Sequence, residues 1–166
     1  MKKNFLDNYY VNNRATKVIY GAILIFAFLV GQGHSSQTSA LPIVFGTFFA
    51  AIAIVLAEVY ADILGKTIRH KRKLTKQERL EVERDSLAII SVSLWPSVIF
   101  GLSYLGLFSM HSAFNISYTL LLGVLFGFSY WAGRLSGKTK LRAFTFAIAT
   151  SLVGLIVVTA KYTLGH

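Results

Sequence analysis

The chain has 166 residues, 54% of them hydrophobic and 14% charged, with a formal net charge of +10 and no cysteine. Its mean hydropathy of +0.57 is too high for a soluble domain of this length, and the lack of cysteine excludes disulfides, thiolate metal sites and a cysteine nucleophile. The composition therefore predicts an all-α integral membrane protein with a single membrane domain, residues 1–166.

The first predicted span covers residues 15–33, and the polar, basic segment before it is expected on the cytoplasmic side. The charge-free part of this span begins only at Val18, so the span is short for a bilayer. Because no convincing cleavage pattern follows the apolar run, we expect the N-terminal segment to be retained. Residues 31–40, which contain no Lys, Arg, Asp or Glu, form the expected outer loop.

The second predicted span, residues 41–64, has Pro42 in its first turn, where helices tolerate proline. Small residues recur along this span at steps of three and four residues, which places them on one stripe of the helix. Such stripes allow helices to approach closely in membranes. The predicted packing residues of this span are Gly46, Ala50, Ala53, Ala57 and Ala61.

The same span contains two acids in otherwise apolar sequence, Glu58 and Asp62. Because they are four residues apart, both lie on one face of the helix, where they could bind a divalent cation or relay a proton. Counted inward from Lys66, Glu58 lies about 12 Å and Asp62 about 6 Å from the basic linker. Asp62 is therefore also explained as a residue at the membrane surface, whereas Glu58 is the candidate metal ligand. The two acids therefore have two possible roles: they line an ion path, or they form an ion pair near the cytoplasmic surface.

Residues 66–85 hold eight of the seventeen basic residues and are predicted to form a cytoplasmic linker. Thr75 and Glu78 have the spacing of a capping box, which predicts a helix that begins near Lys76 and runs into span three. The acids of this helix are expected to pair with its own arginines rather than to bind a cation. The linker cations that we expect at lipid headgroups are Lys71, Arg72 and Lys73.

The three remaining predicted spans are residues 87–108, 116–133 and 141–162. Pro96 is expected to kink the first of them, because proline removes a backbone hydrogen-bond donor from a helix. The second carries a Gly-x-x-x-Gly pair, Gly123 and Gly127, which favours close helix packing.

Sixteen of the seventeen basic residues fall on one side of such a five-span arrangement. Since cytoplasmic loops carry the excess of Lys and Arg, we expect five transmembrane helices with the N-terminus in the cytoplasm and the C-terminus outside. The basic loop after span four adds Arg134 and Lys138 to the expected contacts with lipid headgroups. The expected location is the cytoplasmic membrane of a bacterium.

Several function classes find no support in the sequence. It has no nucleophile elbow, metalloprotease helix or glycine-rich phosphate loop, so we predict that the protein is not an enzyme and needs no cofactor. The dense basic run has no stacking aromatics near it, which argues against a nucleic-acid partner. The four histidines are scattered and lack the spacing of a metal site.

The order of these features resembles the vacuolar iron transporter family. The match consists of Ala57-Glu58-Val59-Tyr60 in a small-residue helix, a following charged helix with Arg79, Glu81 and Glu83, and a basic glycine turn, 132–137, before the last span. The resemblance implies a five-span fold and transport of a divalent metal. Two of the family's ligands are absent: residues 19–30 contain no acid, and Ile54 stands where the family has methionine. Of the ligands, only Glu58 carries over.

Two functions are compatible with these sequence features. The first is a homodimeric transporter of a divalent cation, or one coupled to protons, with its pathway beside Glu58 at the subunit interface. The second is a non-transporting scaffold or accessory subunit, which binds another membrane protein through its glycine and alanine faces and anionic membrane lipid through its basic loops.

Overall fold

The computed structural model describes residues 2–33 and 39–164, and this part of the chain is entirely helical, with no strand. Its six helices are α1 (Lys2–Gln32), α2 (Ala40–His70), α3 (Lys76–Ser86), α4 (Ala88–Tyr104), α5 (Met110–Leu135) and α6 (Lys140–Leu164). Among the described residues, four stretches are long and apolar enough to cross a membrane: Arg14–Gln32, Ala40–His70, Lys76–Tyr104 and Met110–Leu135. The predicted all-α class with membrane-length helices is confirmed, and α6 corresponds to the fifth predicted span.

The helix boundaries differ from the predicted spans at several places. Helix α1 begins at Lys2, so the polar N-terminal segment continues the helix of span one. Helix α4 ends at Tyr104 and not at residue 108, because the chain turns through Gly106 at a positive φ of 81°. Helix α5 begins at Met110, six residues early, because the Ser109 side chain accepts a hydrogen bond from the Ser112 backbone and caps the helix. Residues 34–38 of the predicted outer loop lie outside the described residues.

The predicted linker, 66–85, is a helical hairpin. Helix α2 continues to His70 and is closed by Lys71 in the left-handed conformation, with a φ of 51°. Thr75 then caps α3 in a capping box with Glu78, as predicted, and only Leu87 separates α3 from α4. The expectation of pairing within α3 is wrong for Glu78, because its carboxylate binds the two terminal nitrogens of Arg72, in the preceding turn, at 2.7 and 2.9 Å.

Helix α1 is the central helix of the bundle. It contacts each of the other five helices, while α2 packs along α4 and α5 packs along α6. The apolar half of α1 is correspondingly buried, and Ala22, Ile25, Phe26 and Leu29 have no exposed surface. Because this half is apolar on all sides, it can be surrounded by other helices without burying an unpaired polar group.

Beside the C-terminal half of α1 lies a cluster of aromatic rings. The Tyr118 ring is 5.4 Å from that of Phe26 and 5.9 Å from that of Phe114, and the Phe114 ring is 4.9 Å from Phe100. The Tyr118 hydroxyl donates a hydrogen bond of 3.2 Å to the Leu29 carbonyl. This end of the bundle is therefore held by packed rings and a buried hydrogen bond.

The predicted packing residues occupy two kinds of position. A side chain at Gly46 would come within 2.9 Å of the Phe28 ring, and Ala50 is partly buried against the core, so this end of the α2 stripe packs inside the molecule. The remaining predicted packing residues are exposed on the surface: Ala53, Ala57, Ala61, Gly123 and Gly127. Packing of this second set against another chain stays a prediction. Pro96 lies buried within α4, and a kink there also stays a prediction.

Candidate functional site

The centre of the candidate site is the side chain of Lys17, which is only 3% exposed. Its ammonium donates hydrogen bonds to Glu58 Oε1 at 3.2 Å, to Asp62 Oδ2 at 2.5 Å and to Ser86 Oγ at 3.0 Å. These four residues, Lys17, Glu58, Asp62 and Ser86, are called the ionic cluster below. It joins helices α1, α2 and α3.

The local sequence explains why these side chains meet. Lys17 is the last charged residue before the apolar part of α1, so it lies at one end of the buried half of that helix. Glu58 and Asp62 are one turn apart on α2 and therefore share a face. Ser86 is the final residue of α3 and is fully buried. Three helices thus each direct a polar group to one point.

The hydrogen bonding of the ammonium is complete. A lysine ammonium has three N–H donors, and here three acceptors from three side chains surround it. Such pairing is what a buried charge requires, because the loss of hydration must be offset by opposite charge and hydrogen bonds. With two carboxylates and one ammonium, the cluster has a formal charge of −1 when all three groups are ionised.

A second ion pair lies next to the ionic cluster. Arg14 Nε donates to Asp85 Oδ1 at 3.1 Å, and Asp85 is almost fully buried whereas Arg14 is half exposed. Arg14 precedes Lys17 by nearly one helical turn, and Asp85 precedes Ser86 in α3. Asp85 therefore pairs with an arginine of α1, outside its own helix. Because the charges of Arg14 and Asp85 cancel, the excess negative charge of the cluster remains.

The two carboxylates are accessible from one side. The side chains of Glu58 and Asp62 are 23% and 34% exposed, in contrast to the enclosed Lys17. Ala57, Tyr60 and Ala61 beside them are also exposed. A proton or a small cation could reach the outer oxygens of the carboxylates without separation of the helices.

The structure agrees only in part with the sequence-based view of this site. Glu58 and Asp62 do lie together, but Asp62 is not merely a surface residue, because it accepts the shortest hydrogen bond of Lys17. Sequence reasoning missed Lys17 and Ser86 as members of this site. One signal was present: two acids in an apolar helix require a cation, and Lys17 directly precedes the apolar part of the neighbouring span.

The ligands for a metal ion are few. Among the side chains that the structure describes, no three from His, Asp or Glu lie close enough together to hold a metal. Glu58, the predicted metal ligand, already binds the Lys17 ammonium. A metal at Glu58 and Asp62 would have to compete with this internal cation.

The predicted lipid contacts occupy two turns. Lys71, Arg72 and Lys73 are exposed in the turn between α2 and α3, where Arg72 also binds Glu78. Arg134 donates a hydrogen bond to the Lys138 carbonyl, and the Lys138 ammonium lies 3.9 Å from the centre of the Phe146 ring. Contact of these five residues with lipid stays a prediction.

Two open apolar grooves meet at Gly123. One has a volume of about 580 Å³ and lies along α5, and the other, of about 390 Å³, lies between α5 and α6. Gly123 and Gly127 line the first groove together with Phe128 and Trp131. No atom lies within 4 Å of where a side chain at either glycine would begin, so the face can receive another helix or a lipid chain.

Comparison with protein families, with characterised proteins and with solved structures gives no match to this chain. The function is therefore inferred from the geometry of the ionic cluster and of the exposed faces.

Proposed function

We propose that this chain is a small integral membrane protein that carries protons or cations across the bilayer, with the ionic cluster as its carrier site. In this proposal α1, α2, α4, α5 and α6 provide five spans, with α3 and the N-terminus in the cytoplasm. The basic turns between α2 and α3 and between α5 and α6 then lie on the cytoplasmic side, where lysine and arginine are enriched in membrane proteins.

One observation carries the proposal: a buried ammonium is shared by two carboxylates that are open on one side. Ionisable groups within membrane-length helices are costly and usually mark ion or proton paths. The formal charge of −1 leaves the cluster one positive charge short of neutrality. Binding and release of one charge would switch it between two states, as a carrier requires.

A distant kinship with the vacuolar iron transporters is part of this proposal. It is supported by the position of Glu58 on α2 and by the charged, capped helix α3 that follows. The family's other ligands have no counterpart here, so the kinship concerns the arrangement of helices and leaves the transported species open.

The test is ion flux into proteoliposomes that contain the purified full-length chain. An internal pH dye reports proton entry, and a dye quenched by Mn²⁺ reports entry of a divalent cation. The variants are Glu58→Gln and Asp62→Asn, and the matched control is Glu83→Gln, an exposed acid of α3. Flux should be abolished or strongly reduced in the first two variants and unchanged in the control. Equal flux in all variants, or none above that of empty liposomes, would reject the proposal.

A second candidate is a scaffold or accessory subunit, favoured by the exposed groove at Gly123 and Gly127. This face would bind another membrane protein, and recovery of an isolated homodimer would count against the scaffold. Gly123→Leu should fold normally, because the position is open within the chain, yet it should lose the bound partner. Mass measurement of the complex in mild detergent decides this, with Gly101→Ala as a control outside the groove. A monomeric wild type without any partner would contradict the scaffold.

A further inference from the structure

We propose that Lys17 determines the charge of the ion that the cluster takes up. As a tethered cation it leaves room for a single further positive charge, such as a proton, and it excludes divalent metal ions. This inference rests on the proposed function, whose transported species it narrows.

The Lys17 ammonium occupies the position that a metal ion would need. Lys17 Nζ lies within 3.2 Å of one oxygen from Glu58 and one from Asp62, where a metal ion bridging the two carboxylates would bind. Divalent cations such as Ca²⁺ require about six to eight oxygen ligands, or six with near-ideal geometry for Mg²⁺. Lys17 uses the three acceptors that converge here, including Ser86.

Lys17 also cannot easily withdraw from this position. Ala15 is fully buried and Val18 almost so, and both belong to α1, which contacts every other helix of the bundle. Movement of the Lys17 backbone would therefore disturb the core. Rotation of its side chain would break the three hydrogen bonds of the buried ammonium, which is costly.

The charge of the site favours a proton over a divalent cation. Among the described side chains, the charged groups of the two ion-paired sets are Lys17 and Arg14 from α1, Glu58 and Asp62 from α2, and Asp85 from α3, with a formal sum of −1. A proton would bring this sum to zero and leave Lys17 in place. A divalent cation would leave a net positive charge, and its repulsion by the ammonium is twice that between two unit charges.

The outer oxygens of the carboxylates are suited to receive a proton. Lys17 binds Oε1 of Glu58 and Oδ2 of Asp62. The other oxygen of each carboxylate, Glu58 Oε2 or Asp62 Oδ1, accepts no hydrogen bond from the described residues. A proton added there forms one O–H bond and breaks none of the bonds to Lys17.

The experiment measures Mn²⁺ binding to the full chain in mild detergent, from the electron paramagnetic resonance signal of free Mn²⁺. Wild type and Lys17→Arg should show no saturable binding at millimolar Mn²⁺. Lys17→Met, with two uncompensated carboxylates, should bind Mn²⁺ at least about tenfold more tightly than wild type, a difference of about 1.4 kcal/mol. Asp62→Asn added to Lys17→Met should remove this binding.

Without Lys17 the two carboxylates need a replacement cation for the chain to fold, so Lys17→Met is purified both with and without Mn²⁺. Recovery of monodisperse protein only in Mn²⁺ supports the inference as directly as binding does. Binding to wild type as tight as to Lys17→Met would overturn it, as would a Lys17→Met protein that neither binds Mn²⁺ nor is recovered with it. Because no flux is measured, absence of transport by the wild type would reject the proposed function without altering this result.

Discussion

The Lys17 ammonium lies 2.5 Å from the Asp62 carboxylate, although the two residues are 45 positions apart in the sequence. Through this contact the N-terminal helix compensates an acid in the second helix. Glu58 shares the same ammonium, so neither carboxylate can be changed without an effect on the other. Substitutions of Glu58 and Asp62 should therefore have coupled effects on the stability of the protein.

Glu58→Gln and Asp62→Asn should each lower the free energy of unfolding by only about 1 kcal/mol, because the amide oxygen still accepts a hydrogen bond and one carboxylate still balances Lys17. The double variant leaves a buried ammonium without a counter-charge and should cost about 3–5 kcal/mol. Thermal unfolding in mild detergent measures this coupling. Glu83→Gln, as the control, should change stability by less than about 0.5 kcal/mol. Strictly additive single effects would contradict the shared ammonium.

Gly21→Ala should destabilise the protein by about 1–3 kcal/mol, because overpacking forces its neighbours to move. The new carbon would lie 2.8 Å from Ile89 Cγ2 on α4, closer than side-chain atoms approach. Ile89→Ala removes the Cγ1 and Cγ2 atoms that the added carbon would meet, so the double variant should lose less stability than the sum of the two single variants. The comparison is Gly101→Ala, an open helical position, where alanine should stabilise by about 0.5–1 kcal/mol. A Gly21→Ala variant as stable as Gly101→Ala would show that α1 and α4 do not approach as described.

The contacts of Glu78 predict that the stability of the protein depends on pH. Its contact with Arg72 and with the Thr75 backbone lowers the pKa of the Glu78 carboxyl from 4.5 to about 2. Since the pKa is depressed in the folded state, the ionised group contributes stability above 4.5, and this contribution is lost as the pH falls from 4.5 towards 2. The difference in thermal midpoint between wild type and Glu78→Gln should therefore be constant near neutral pH and shrink below 4.5. A difference that grows on acidification would argue against the pair.

Thr75→Ala tests the start of α3 through the capping hydroxyl. The Thr75 hydroxyl accepts from the Glu78 backbone N–H, and its removal should cost about 0.5–2 kcal/mol. Thr75→Ser keeps the hydroxyl and should behave like wild type. Hydrogen exchange of the first turn of α3 reports the change locally, and unaltered exchange in Thr75→Ala would show that the cap does not hold this helix.

Tyr118→Phe should lower stability by about 0.5–1.5 kcal/mol through loss of a buried hydrogen bond. We expect a loss of stability near the lower end of this range. The Leu29 carbonyl also accepts a hydrogen bond from the Gly33 backbone, so it is not left unsatisfied when the Tyr118 hydroxyl is removed. Tyr104→Phe, at a position 61% exposed, is the matched control and should be neutral. Thermal unfolding of both variants makes the comparison.

Much of the fold could be predicted because it depends on local signals. The apolar stretches indicated the helices, and Thr75 with Glu78 correctly placed the start of α3. The boundaries at Ser109 and Tyr104 were missed, since a capping hydroxyl and a positive φ at Gly106 determine them. Hydropathy alone does not detect either feature.

The site could be predicted only in part, for a different reason. Glu58 and Asp62 were conspicuous because acids are rare in apolar helices. Lys17 was not, because a cation at the end of a span is ordinary and its partners lie on another helix. Lys17 pairs with these acids because α1 lies at the centre of the bundle. That central position depends on tertiary contacts of α1 with all the other helices. The single-sequence pattern contains no record of which helices become neighbours.

The order of synthesis gives the Lys17 contact a further meaning. The ribosome adds Lys17 to the chain 41 residues before Glu58, so the lysine has no acidic partner on α2 while α1 emerges. In the proposed orientation it is then a flanking cation, which retains that end of the first helix in the cytoplasm during insertion. When α2 arrives, the same charge becomes enclosed. Lys17 would thus act first as an orientation signal for the nascent chain and afterwards as a counter-ion in the finished protein.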